Sequence, residues 1–389
     1  MYRGQFVFAQ LMEFVPRSLF DACVRRYPGG RKLRGFSCRD QFLCMAFAQL
    51  TFRESLRDIE TCLRALQPKL YHAGFRGKVS RSTLADSNRC RDWRIYHDFA
   101  QALIQQAREL YAQDSFAVAL QETVYALDST VIELCLTLFP WAHSQRAKSA
   151  VKLHTLVDLR GNIPCFIHVS PAKTSDCRAL DLVPIEPGAY YVMDRGYNDY
   201  RRLRRFTLAG AFFIVRGKNN LTFTRCQSRD VNGQNGVRSD QIIRFKDRRT
   251  RGKYPERLRR IHYYDSENGK RFLFITNDFN LPALTIAELY RCRWQVELFF
   301  KWIKQNLRIQ HFVGNTINAV KTQVWIAIST YVLVAIVRKQ LRLERSMSEI
   351  LQVLSITLFE NTPIIKALSS QHQSTTELTA PNQLQLFDL

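Results

Sequence analysis

The sequence has 389 residues, 46% of them hydrophobic and 23% charged, which fits two or three domains with sizeable cores and excludes a disordered chain. Lys and Arg number 57 against 34 Asp and Glu, a formal net charge of +23. On a folded chain that surplus points to a polyanionic partner, either nucleic acid or an anionic membrane surface.

The opening stretch, MYRGQFVFAQLMEF, lacks the charged, apolar and small-residue sequence of an export signal. The ten cysteines are scattered and form no CxxC pair. They read as reduced core thiols in a cytosol, without ligand spacing for zinc. Residues 1–115 read as helical. Runs at 37–50, 55–66 and 80–113 each begin at a Ser suited to an N-cap and continue with apolar residues at helical spacing. Within the last run Arg81, Asn88, Arg89 and Arg91 are of the types that contact phosphates and base edges. The bland alternative is a solvated, capped helix face. The linker at 67–79 is too long for the short turn of a strict helix-turn-helix.

From about 120 to 310 strands and helices alternate. TVYALDSTVIEL (123–134) is a buried strand around Asp128. AVKLHTLVDLRGNIPCFIHVS (150–170) is a hairpin turning at Arg160-Gly161-Asn162. TSDCRALDLV (174–183) reads as a short helix, and AYYVMDRGYND (189–199) as a strand ending at Asp194. A basic helix, another strand and a polar Gly- and Arg-rich stretch at 218–271 follow. The order indicates an α/β domain with a mixed sheet. Beyond it, VWIAISTYVLVAIV (324–337) is shorter than the roughly 20 residues of a spanning helix and reads as a core helix. A helix near 346–358 and a polar tail close the chain, the tail reading as disordered.

Asp128 and Asp194 each sit in or at the end of a buried strand. A charge there costs several kcal/mol unless it is paired or holds a metal. One such Asp is explained by a cap or turn; two favour a shared divalent ion, since carboxylate oxygens are hard ligands suited to Mg²⁺ or Mn²⁺. Asp158 closes a strand too, but reads as a turn residue. YRCRWQVELFFKWIK (290–304) puts Tyr290, Arg293, Glu297, Lys301 and Lys304 within about 80° of one helix face at 100° per residue. The rest of the helix is apolar. A solvent face with i,i+4 ion pairs is the bland account. A cleft for phosphates explains better why the polar stripe is narrow: Glu297 completes a metal site and the cations and the phenol grip the strand.

Tyr290, Arg293, Glu297 and Lys304 match the Y-(2)-R-(3)-E-(6)-K signature, and the chain resembles the IS4-type bacterial insertion-sequence transposases. LPALTIAELYRCRWQVELFFKWIKQ, LDST (127–130), KLHTLVDLRGNIP (152–164) and MDRGYND (193–199) are similar to that family as well. The resemblance covers roughly 123–337. It implies a DDE transposase with an RNase H-like mixed-sheet catalytic domain at 116–310, interrupted by a β-rich insertion at 218–271. A helical DNA-binding domain at 1–115 would precede it, with C-terminal helices at 311–366 and a disordered tail at 367–389 behind.

Asp128, Asp194 and Glu297 would be the catalytic, metal-holding acids, with two Mg²⁺ or Mn²⁺ ions. Tyr290, Arg293, Lys301 and Lys304 would bind phosphate. Relatives often carry in the insertion a tryptophan that takes the place of a flipped base during hairpin formation. None lies between Trp141 and Trp294 here, which leaves Tyr254, Tyr263 and Tyr264 as substitutes.

The implied partners are the double-stranded ends of the element, its target DNA and a second copy of the chain, in a bacterial, nucleoid-associated cytoplasmic setting. Gln383-Leu384-Gln385-Leu386-Phe387 is similar to the peptide that docks on the bacterial sliding clamp, apart from its third position. A related metal-dependent nuclease or recombinase, and a transposase-derived DNA-binding regulator, are the competing readings.

Overall fold

The computed structural model describes residues 4–27, 35–114, 118, 120–134, 149–218, 220–231, 235–307 and 316–369. Helices come first: α1 (Val7–Glu13), α2 (Arg17–Arg26), α3 (Cys38–Leu50), α4 (Leu56–Ala65), a single turn α5 (Gln67–Leu70), α6 (Arg81–Cys90) and α7 (Arg94–Tyr111). Ser37, Ser55 and Ser80 cap α3, α4 and α6 as expected, each accepting a backbone N–H three residues on. The helix expected over 80–113 is broken in two. Arg91 is extended there, and its guanidinium reaches inward to the carbonyls of Phe36 and Ser37 and to Gln41. These tertiary hydrogen bonds outweigh the local helical pattern.

The α/β part opens with β1 (Val124–Leu134), β2 (Ser149–Asp158), β3 (Ile163–Pro171) and β4 (Tyr190–Met193). Next come α8 (Tyr200–Leu208), β5 (Phe212–Arg216), β6 (Phe223–Arg229), β7 (Val237–Phe245), α9 (Arg248–Lys253), β8 (Leu258–Asp265) and β9 (Lys270–Thr276). All nine strands form one mixed sheet in the order β3-β2-β1-β4-β5-β9-β8-β7-β6. β1, β4 and β5 run parallel at its centre and antiparallel strands extend both sides. The expected hairpin is β2–β3. Its turn needs Gly161, whose φ is +74° and where a Cβ would meet the Tyr111 ring at 2.3 Å. Residues 174–183 carry a 3₁₀ turn, Asp176–Asp181, in place of an α-helix. The strands expected in 218–271 build no separate sheet; β6, β7 and β8 continue the central one beyond β9.

The chain closes with α10 (Ala283–Arg291), α11 (Trp294–Leu307), α12 (Ile317–Gln340), α13 (Met347–Thr357) and α14 (Ile364–Leu368). Among the described residues, α12 alone is long and apolar enough to cross a membrane, yet 94% of its most apolar window is buried inside the fold. It packs against α7, α3 and β3. At the other end of the helical body, Phe8 N–H donates to Leu358 O and Gln10 bonds the backbone of Thr362 and Ile364. The late helices thus pack into the same core as the early ones; the boundaries expected at 115 and 311 lie outside the described residues.

Strand alternation distributes the centre of the sheet between two cores. Ala126, Val192 and Ile214 pack with α7, α10, α11 and α12 on one face. Tyr125, Leu127, Tyr191 and Met193 pack with α8 on the other.

Candidate active site

β1 and β4 are parallel neighbours, and their last paired residues are Leu127 and Met193. Asp128 and Asp194 are the next residues on each strand. Two acids 66 positions apart in sequence (194 − 128) thus stand side by side where the parallel pairing of β1 with β4 ends, Asp128 inside β1 and Asp194 just past the carboxyl end of β4, where strand spacing is about 5 Å. That edge of an open α/β sheet is where ligands bind. Asp128 shares the parity of Ala126, so it faces the side covered by α10 and α11.

The helix expected across 290–304 is broken between α10 and α11. Arg293 and Val296 N–H groups bond three residues back, tightening the joint. Arg293 sits in that joint with its side chain only 16% exposed. Its Nη1 donates to Asp128 Oδ2 at 2.5 Å and its Nη2 to Glu297 Oε1 at 2.8 Å. The Tyr290 hydroxyl donates to Asp194 Oδ1 at 3.2 Å. One arginine and one tyrosine therefore gather all three acids. The single-face stripe persists on α11, where Glu297, Lys301 and Lys304 are exposed. Of the apolar residues on the rest of that helix, Trp294 (50% exposed) and Leu298 (47%) face solvent.

Burial pushes the Asp128 carboxyl up to about 6; Arg293 and the Ser129 N–H pull it down, while Asp194 and Glu297 push it further up. Burial alone would lower the Arg293 guanidinium, but Asp128, Tyr290 and Glu297 outweigh it and hold the charge more firmly. Burial raises the Tyr290 phenol to about 12, so it is a hydrogen-bond donor at neutral pH. Among the described residues no three Asp, Glu, His or Cys side chains already stand at ligating distance from one point. The donor set nonetheless suits a hard cation: Asp128 and Glu297 share the Arg293 charge, Asp194 is held beside them by Tyr290, and both neighbouring acids push the Asp128 carboxyl up.

A cleft of about 570 Å³ beside the acids is lined by Arg195, Arg216, Lys218, Asn220 and Arg271. An adjoining cleft of about 430 Å³ carries Arg216, Tyr263, Phe272, Tyr290, Arg293 and Trp294. Of the three tyrosines offered for a flipped base, Tyr254 is fully buried and bonded to Thr207, so it is withdrawn. Tyr263 lines the second cleft. In the helical region Arg81 and Arg89 are exposed, Arg89 pairing with Asp86. Asn88 (1% exposed) and Arg91 (5%) are not surface groups. Asn88 accepts from Gln41 and Arg91 is spent on the Phe36 and Ser37 carbonyls, so neither is available to DNA. Gln383–Phe387 and Trp141 lie outside the described residues.

Sequence reasoning passed over Asp176, Lys152 and His154. Asp176 Oδ1 accepts from Ser129 Oγ at 2.6 Å and from Lys152 Nζ at 3.1 Å. Lys152 and His154 alternate on one face of a mainly apolar strand, and that pattern was a usable signal.

The Transposase DDE domain family matches residues 119–333, and a domain of unknown function (DUF4372) matches 3–76. A Sinorhizobium fredii chain named as transposase y4zB is 33% identical over 61% of this chain and 67% of its own length. A Geobacillus stearothermophilus chain named as the transposase of insertion sequence element IS5377 is 29% identical over 53% and 54%. A Synechocystis chain named for element IS4SA is 23% identical over 70% and 76%. With more than half of its length matched and its acids gathered at one sheet edge, this chain belongs to the DDE transposases of insertion-sequence elements.

Proposed function

We propose that this transposase cuts and joins DNA at the edge where Asp128, Asp194 and Glu297 meet. The observation that carries the proposal is the parallel register of Leu127 with Met193, which sets the two aspartates side by side where the pairing of β1 with β4 ends. The strand order β3-β2-β1-β4-β5, with the central three parallel, supports an RNase H-like core at 116–310.

Asp128, Asp194 and Glu297 would hold Mg²⁺ or Mn²⁺, two ions in the form the family uses. The bound metal supplies Lewis acidity to the scissile phosphate and a more acidic attacking hydroxyl. Arg293 spends its fork on Asp128 and Glu297 here, and would turn it to a phosphate once those acids hold metal. Tyr290 presents a phenol that stays protonated, and exposed Lys301 and Lys304 add point charges along α11. Arg195, Arg216, Lys218 and Arg271 extend the basic track into the neighbouring cleft. The attacking group is a water in the first cut and the freed 3′-hydroxyl in joining, so no covalent enzyme intermediate is required.

Residues 1–115 would read the element's ends through Arg81 and Arg89. Pairing of two ends calls for at least two protomers. Docking of 383–387 on a sliding clamp, and work at the bacterial nucleoid in the cytoplasm, complete the proposal.

Asp128→Ala, Asp194→Ala or Glu297→Ala lowers divalent-ion-dependent cleavage of DNA carrying the element's ends at least about 1,000-fold, while gel-shift affinity for those ends is retained. Wild-type cleavage in any variant removes that residue from the site. Joining of a pre-cleaved end to a circular target separates a transposase from a nuclease.

A further inference from the structure

Around Asp128 and Asp194 runs a second set of polar contacts that the three acids do not use. Asp176 opens the 3₁₀ turn between β3 and β4. Its Oδ1 accepts from Ser129 Oγ at 2.6 Å, and the Ser129 backbone N–H donates to Asp128 Oδ1 at 2.8 Å. One residue thus stands between Asp176 and the carboxylate of Asp128.

The same Oδ1 accepts from Lys152 Nζ at 3.1 Å, and that ammonium also donates to Thr174 O at 2.8 Å. His154, the strand partner of Ser129, points its Nδ1 at the same oxygen from 3.9 Å, without a hydrogen bond. Asp176 Oδ2 lies near the turn Arg195–Tyr197 that follows Asp194. A Cβ on Gly196 would stand 3.4 Å from it. The next residue in the turn repeats the connection, since the Cys177 thiol donates to Gly196 O at 3.0 Å.

The turn therefore touches both acid-bearing strands at once: β1 through Ser129 and the exit of β4 through Gly196. It is anchored to β2 by Lys152. A carboxylate that fixes metal-holding acids from behind orients them and sets their affinity.

We infer that Asp176 is a positioning residue: it fixes the separation of Asp128 and Asp194 through Ser129 and Gly196, and so sets the affinity of the site for divalent metal. Asp176 itself need not touch metal or DNA. The inference rests on the proposed role of Asp128 and Asp194, and its test separates the two.

Mn²⁺ binding to the full-length protein is followed by electron paramagnetic resonance, with cleavage of end-bearing DNA measured across the same Mn²⁺ range. Asp176→Ala and Ser129→Ala each raise the Mn²⁺ concentration for half-saturation by about 10- to 100-fold. The double variant goes no further than the larger single one, because both break one hydrogen bond. Saturating Mn²⁺ restores most of the cleavage, and end binding stays at the wild-type level. Loss of general stability alone would not move the Mn²⁺ midpoint of the folded fraction.

Should Asp176→Ala fail to fold, Ser129→Ala carries the test by itself. A wild-type Mn²⁺ curve in either folded single variant overturns the inference. Asp128→Ala is run alongside: if it also binds Mn²⁺ like wild type, the assignment of the metal-holding acids falls instead.

Discussion

His154 shows how burial sets the behaviour of one side chain. It is fully buried on β2, with Nε2 paired to Ser170 Oγ at 3.0 Å. Burial pushes its imidazole down to about 4; Lys152 and His168 add to that and Asp176 opposes it. The unfolded chain, with an ordinary value near 6.5, takes the proton first. The stability contributed is therefore complete above pH 6.5 and lost as pH falls from there towards 4, on the order of 3 kcal/mol in all. Denaturant midpoints measured from pH 7.5 to 4.5 should fall less steeply in His154→Gln than in wild type. Equal slopes would mean the imidazole is already charged in the folded state. Asp128 is held by the same physics with the opposite sign, its carboxyl raised by burial, so it favours a cation beside it.

At the scale of elements, the strands of 218–271 are tied to the site by a buried ion pair. Arg259 on β8 (1% exposed) donates to both oxygens of Asp240 on β7, at 2.9 and 2.7 Å, and to Leu281 O at 2.6 Å. Asp278, which accepts the Tyr190 hydroxyl at 2.7 Å, receives the Asn280 and Leu281 N–H groups. This staples the added strands to the segment leading into α10, and so to Tyr290 and Arg293. Truncating one partner of a buried pair leaves an uncompensated charge, so Arg259→Ala should cost about 3–5 kcal/mol. Chemical denaturation checks it; a loss under about 1 kcal/mol would mean that water reaches the pair. The α10–α11 joint is the element whose form the sequence concealed. Helical periodicity runs through 290–304, but two ion pairs of Arg293 hold a break in it. The short Asp176–Asp181 turn was concealed likewise, because its form follows from contacts with β1, β2 and the Gly196 loop.

For the molecule as a whole, the +23 charge and the helical front predict salt-sensitive DNA binding. Exposed Arg81 and Arg89 and buried Arg91 divide the effect. Arg81→Ala with Arg89→Ala should flatten the plot of log affinity against log salt by roughly 0.9 for each phosphate that is no longer neutralised, with thermal stability unchanged. Arg91→Ala should lower stability and leave the slope alone. A slope change in Arg91→Ala with stability intact would return that residue to the DNA surface. α12 is the clearest global feature: an apolar run expected as a core helix is a 24-residue axle around which early and late helices pack.

The sequence by itself determined the family, through a four-position signature and two aspartate blocks in order, and it determined the element types wherever a local pattern sufficed. Serine caps, a glycine turn and alternating strands are set by neighbours within a few residues, so they are legible in one dimension. Only the tertiary structure decided that Leu127 pairs with Met193, that Arg293 bridges Asp128 and Glu297, and that Asn88 and Arg91 face inward. It alone placed Asp176 behind both aspartates. Each of these depends on contacts between residues far apart in the chain, whose hydrogen bonds and burial outweigh the small free-energy preferences that local sequence expresses.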